Sequence, residues 1–128
     1  MGDSWTPART KEDFRIDEER HESGTVLLTI HGDADLRVAD QLENRVSQVI
    51  DDGASALVVD LSGATFLDSM ALGILLGGLK RLRARGGHLR LVAPRGEIRR
   101  IFEITLLDRV FELDRSRQEA LSSTRSPV

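Results

Sequence analysis

The chain has no cysteine and no tyrosine, and aromatic residues fill only 4% of its 128 positions. Without cysteine there is no disulfide, no thiolate nucleophile and no cysteine-ligated metal centre, which sets aside the stapled mini-proteins of oxidising compartments. So few rings leave no base-stacking platform for single-stranded nucleic acid. No apolar run reaches the roughly 18 residues that a spanning helix needs. The opening residues MGDSWTPARTKED lack the apolar segment of a signal peptide. Together these absences predict a cytoplasmic protein. A net charge of −3 supplies no general attraction to nucleic acid or to an anionic membrane.

What remains suffices for one domain: 40% hydrophobic and 30% charged residues is an ordinary globular composition. Residues 1–12 are polar, carry Pro7 and show no periodicity, so a flexible tail is expected there. Residues 122–128 read the same way, which leaves residues 13–121 as the domain.

Within the domain, strand and helix patterns alternate. Phe14-Arg15-Ile16 opens a short strand, His21 to Gly24 is turn chemistry, and Thr25 to Ile30 is a β-branched strand that Gly32-Asp33-Ala34-Asp35 breaks. Val38, Leu42, Val46, Val49 and Ile50 recur at helical spacing up to a stop at Gly53. Ala56 to Leu61 is a nearly unbroken apolar strand, fit for the middle of a sheet. A helix is expected from Ser69 to Arg85, with Leu72, Leu75, Leu76, Leu79 and Leu82 as its apolar stripe. A strand at His88–Ala93, a helix around Ile98–Thr105, a strand at Val110–Leu113 and a helix around Ser116–Leu121 complete the order. This alternation predicts an α/β domain: a mixed sheet of about four to five strands with about four helices packed on it.

Enzyme chemistry finds no constellation. The three histidines, His21, His31 and His88, lack a second histidine at ligand spacing and read as surface or edge residues. His31, Asp33 and Asp35 admit a metal reading, but a Gly-containing bend explains the same residues. No phosphate loop, dinucleotide fingerprint or nucleophile elbow is present. No catalytic residue, cofactor site or metal site is therefore assigned. The run Lys80-Arg81-Leu82-Arg83-Ala84-Arg85 reads as a solvated face and a complement to the helix C-terminus.

The informative segment runs from Leu61 to Gly73: the buried strand finishes, a short loop is expected to follow, and Asp68-Ser69 lies where the helix begins. Asp and Ser are both preferred N-caps, so capping alone explains the pair. The same place suits a phosphoserine, because a helix N-terminus offers free N–H groups and a positive dipole end to added negative charge. At 100° per residue, Met70, Ile74, Gly77 and Arg81 cluster opposite the leucine stripe. That face is apolar or small where a solvated helix is polar, and Gly73 and Gly77 weaken the helix. Close approach of a partner backbone explains them; packing within the domain is the competing reason.

From Gly24 to about Leu121 the chain resembles a stand-alone STAS domain of the anti-sigma factor antagonist type. The resemblance rests on Gly32-Asp33-Ala34-Asp35, on Val58-Val59-Asp60-Leu61 leading to Phe66-Leu67-Asp68-Ser69, and on Leu72-Gly73 with Gly77-Gly78-Leu79-Lys80. Gly86 to Val92, and Arg100-Ile101-Phe102 with Leu106-Leu107, continue it in order. It implies a partner-switching cycle without catalysis by this chain. The unphosphorylated form binds an anti-sigma factor that is also a GHKL-type serine kinase, and so frees a sigma factor. The kinase then phosphorylates Ser69, which weakens the complex, and a PP2C-type phosphatase restores it. By the same resemblance Asp35 and Asp68 belong to the recognition surface. A STAS scaffold or sensor subunit of a signalling assembly, binding a nucleotide or lipid, is the second reading. The chain departs from the family pattern at Met70 and Ala71, where Ser or Thr and then Gly are usual, near Val38, where Thr or Asn is common, and at Ala34.

Overall fold

The computed structural model describes residues 13–125, so the tail expected over residues 1–12 lies outside the described residues. Five strands and four α-helices follow the expected alternation. They are β1 (Arg15–Arg20), β2 (Thr25–Ala34), α1 (Ala39–Asp51), β3 (Ala56–Leu67), α2 (Ser69–Ala84), β4 (His88–Val92), α3 (Glu97–Ile104), β5 (Glu112–Asp114) and α4 (Arg117–Arg125). The final helix runs through Arg125, so residues 122–125 of the expected C-terminal tail are helical and residues 126–128 lie outside the described residues.

The strands lie in chain order in one mixed sheet, with β1 antiparallel to β2 and every later pair parallel. Because each crossover steps the same way along the sheet, the connecting helices collect on one face. There Leu28, Ile30, Leu57, Val59, Leu61, Leu89 and Leu91 meet Leu42, Val46 and Ile50 of α1, Leu75, Leu79 and Leu82 of α2, and Phe102 of α3. Phe102 stands edge-on to Phe111 with ring centroids 5.6 Å apart, a favoured aromatic geometry. The opposite face carries a smaller cluster, Leu27, Val58 and Val92, covered by Ala120 of α4. Arg117 fastens that helix, pairing with buried Asp60 of β3 and donating to the Thr29 hydroxyl of β2 at 2.8 Å.

Two expectations at the C-terminal ends of the central strands are corrected. Gly32-Asp33-Ala34 does not break β2 but continues it through two register shifts, and Ser62 to Leu67 is strand rather than loop. Asp33 pairs with Phe66 and Ala34 with Leu67. Gly32 makes the irregular pairing possible: its φ is +89°, and a Cβ there would lie 2.6 Å from the Asp13 carbonyl oxygen. Local turn propensity is overridden by the ladder that the neighbouring strand supplies.

The buried line of α2 is also rotated from the expected stripe. Ala71, Leu75, Gly78, Leu79 and Leu82 are buried, whereas Leu72 and Leu76 are half-buried shoulders. Small residues at Ala71 and Gly78 let α2 sit close to α1 and the sheet. A Cβ on Gly78 would lie 3.0 Å from Val46 Cγ1.

Candidate functional site

The lengthened β2 and β3 end side by side, and both leave the sheet into short acidic turns. Asp35 leads into a single 3-10 turn at Leu36–Val38, and Asp68 leads into α2. The Asp68 amide donates to the Ala34 carbonyl at 3.2 Å, which holds the two turns together. The Asp68 carboxylate then divides its oxygens. Oδ1 accepts from the Ala71 amide at 3.0 Å as the helix N-cap, and Oδ2 accepts from the Leu36 amide at 2.9 Å.

Asp68 therefore does all the capping that the Asp-Ser pair could have shared. Ser69 occupies the first helical position, is exposed, and its hydroxyl makes no hydrogen bond among the described residues. Asp35 caps its own turn, accepting from the Arg37 amide at 3.0 Å. It also takes the Arg37 guanidinium at 3.1 Å from Nε and 2.7 Å from Nη2. The Arg37 guanidinium holds the Asp35 carboxyl below its ordinary range. Behind this pair, buried Asp33 accepts from the Thr65 hydroxyl at 2.5 Å, with Arg37 3.8 Å away.

Three large apolar side chains surround the junction in solvent: Leu36 at 68%, Phe66 at 44% and Met70 at 47% exposure. The sequence singled out only Met70. Leu36 and Phe66 were legible as large apolar residues flanking Asp35 and Asp68, but their exposure depends on the extended strand ends and could not be read locally. Burial of Ala71 beside them fits a small residue where the helix turns onto the core.

The residues assigned to one face of α2 separate. Met70 and Gly77 are exposed, Ile74 is partly buried against the core, and Arg81 turns to α1, donating to the Ser47 hydroxyl at 3.1 Å and pairing with Asp51 at 2.5 Å. The solvent face centres instead on Gly73 and Gly77, where an added Cβ would meet nothing within 4 Å. Packing within the domain thus accounts for Gly78 and not for Gly73 or Gly77. The basic residues of the run that includes Arg81 stay exposed as a solvated helix face, while Arg83 donates to the Val110 carbonyl and Arg85 to the Ile50 carbonyl. His31 faces Asp17 at 3.0 Å, apart from the partners that Asp33 and Asp35 take. No helix among the described residues is long and apolar enough to cross a membrane.

The chain matches the STAS domain family over residues 18–120. It is 34% identical over 105 residues to the anti-sigma-F factor antagonist RsfB of Mycobacterium tuberculosis, covering 80% of this chain and 84% of that one. The anti-sigma F factor antagonist of Lysinibacillus sphaericus is 27% identical over 105 residues, covering 81% and 89%. The crystal structure of an anti-sigma factor antagonist from Mycobacterium paratuberculosis superposes with a TM-score of 0.84 at 29% identity, over 93% of this chain and all of that one. With a mixed five-stranded sheet, connecting helices gathered on one face and an Asp-Ser pair opening the second helix, the chain belongs to the STAS-domain anti-sigma factor antagonist family, a family of non-enzymatic regulators.

Proposed function

We propose that this protein binds an anti-sigma factor through the surface around Ser69, so that a sigma factor is released, and that phosphorylation of Ser69 ends the binding. The observation that carries this reading is the division of labour at the helix start. Asp68 supplies the cap, leaving the Ser69 hydroxyl exposed and without a structural task. A phosphate added there meets the positive end of the α2 dipole, so the fold tolerates it. The same phosphate brings about −1.5 to −2 charges onto a surface whose exposed Leu36, Phe66 and Met70 would otherwise be buried by the partner.

Asp35, Asp68, Ser69, Met70 and Gly77 form the docking surface, with Leu36, Phe66 and Gly73 added to it. Ile74 and Arg81 border it on the α1 side. The partner is an anti-sigma factor of the GHKL serine-kinase type, a PP2C-type phosphatase reverses the modification, and the cycle runs in the cytoplasm without nucleic acid. Relatives named as antagonists of anti-sigma factors support the partner class.

The test is a pull-down with the wild-type chain, Ser69→Ala and Ser69→Asp, followed by intact mass after incubation of the complex with ATP. One added phosphate on the wild type, none on Ser69→Ala, and lost capture by Ser69→Asp is the expected result. A phosphate that persists in Ser69→Ala removes Ser69 from the reading.

A further inference from the structure

Arg37 lies in the turn that Asp68 ties to the start of α2; its amide bonds the Asp35 cap, and its guanidinium faces Asp35 and Asp33. It follows Leu36, whose amide is bonded to Asp68, and Ser69 follows Asp68. Arg37 and Ser69 thus each neighbour one partner of a hydrogen bond that joins the two turns. The Arg37 side chain is 43% exposed and folds back onto the Asp35 carboxylate. A guanidinium fork matches a phosphate as well as it matches a carboxylate, and a phosphoserine dianion offers more charge and three acceptor oxygens.

We infer that Arg37 is an internal receptor for the Ser69 phosphate, held by Asp35 in the unmodified protein and passed to the phosphoserine when Ser69 is modified. The inference rests on Ser69 being the modified residue. The exchange leaves the fold intact, because Asp35 keeps the backbone cap, its Oδ1 accepting from the Arg37 amide at 3.0 Å. It strips Asp35 of its counter-charge and draws the phosphate over Leu36. Modification then changes the docking surface at two acidic positions at once, beyond adding charge at Ser69.

The experiment uses the full chain with phosphoserine installed at position 69 during translation, so that no kinase is needed. Phosphorus NMR follows the second ionisation of the phosphate with pH in the wild type, Arg37→Gln, Asp35→Asn and the double variant, each checked for native fold by circular dichroism. The midpoint in the wild type is expected about half a unit or more below that in Arg37→Gln, because a cation at the phosphate favours its dianion. Asp35→Asn is expected to lower the midpoint further with Arg37 present, and by less in the Arg37→Gln background, because removing the carboxylate that holds the Arg37 fork matters only where Arg37 exists, while Asp33 stays 3.8 Å away in both. Equal midpoints in the wild type and Arg37→Gln, or an Asp35→Asn effect of the same size in both backgrounds, would overturn the inference. The intact-mass experiment separately decides whether Ser69 is modified by the partner, so the two failures are distinguishable.

Discussion

The Asp68 carboxylate joins the Leu36 amide across 32 residues of sequence at 2.9 Å while its other oxygen caps the Ala71 amide of its own helix. One side chain therefore sets the start of α2 and the position of the turn after β2. Asp68→Ala is expected to lower stability by about 1–3 kcal/mol, the sum of a lost cap and a lost tertiary hydrogen bond. Asp68→Asn keeps one acceptor oxygen and should fall between Asp68→Ala and the wild type. Urea unfolding of the three proteins measures the series, and an Asp68→Asn protein no more stable than Asp68→Ala would show that the two bonds are not separate.

Leu36 and Phe66 are apolar side chains left in water by the domain itself. Leu36→Asp or Phe66→Asp should leave the unfolding midpoint nearly unchanged, within about 0.5 kcal/mol for an exposed position. Either change should weaken anti-sigma factor binding by about tenfold or more, as the loss of an apolar anchor at an interface does. Calorimetric titration with the captured partner, alongside thermal unfolding, reads both quantities.

The glycines of α2 are expected to respond in opposite ways. At Gly73 and Gly77 an added methyl meets open space, so Gly73→Ala or Gly77→Ala should stabilise the helix by about 0.5–1 kcal/mol. At Gly78 the methyl would stand 3.0 Å from Val46 Cγ1, and Gly78→Ala should destabilise by about 1–3 kcal/mol if that side chain cannot yield. If a partner backbone approaches the exposed pair, the stabilised Gly77→Ala protein binds it less well. Undiminished binding would leave those glycines without a role at the interface.

Acid should loosen the helix on the second face of the sheet. Burial pushes the Asp60 carboxyl up, but hydrogen bonds from the Ser62 hydroxyl and amide and from Arg117 outweigh it and hold the group below its ordinary value. A carboxylate lowered on folding stabilises the native state above its unfolded pKa of about 3.9, and that stability is lost as pH falls through the lower native value. Asp60→Asn should therefore be less stable than the wild type at neutral pH and approach it below about pH 4, where the wild type loses the same contribution. Arg117→Ala removes the partner and should cost about 1–3 kcal/mol near neutrality. Unfolding free energies of the three proteins between acid and neutral pH decide this; a gap that does not narrow in acid would show that Asp60 does not titrate as argued.

Much of the α/β order was written in local pattern. Strand and helix periods differ, so Thr25 to Ile30, Ala56 to Leu61 and the leucines of α2 were each legible by themselves. The capping pair was visible too, because Asp and Ser prefer helix starts for reasons confined to one turn of chain. The lengths of β2 and β3 were not visible. Gly32-Asp33-Ala34 and Ser62-Gly63 carry turn residues, and only the pairing of residues 31–34 with residues 63–67 keeps the two strand ends extended.

The sequence by itself determined that this chain folds as an alternating α/β domain and that Asp68-Ser69 opens its main helix. Tertiary structure decided how that pair is used. The contact between Asp68 and Leu36 spans 32 residues, and no local propensity encodes which oxygen of a carboxylate faces which amide. The same holds for the exposed ring of Leu36, Phe66 and Met70, which exists only because two strands end together beside one helix. Periodicity reports the neighbours along an element. Which surfaces stay uncovered depends on how the elements meet.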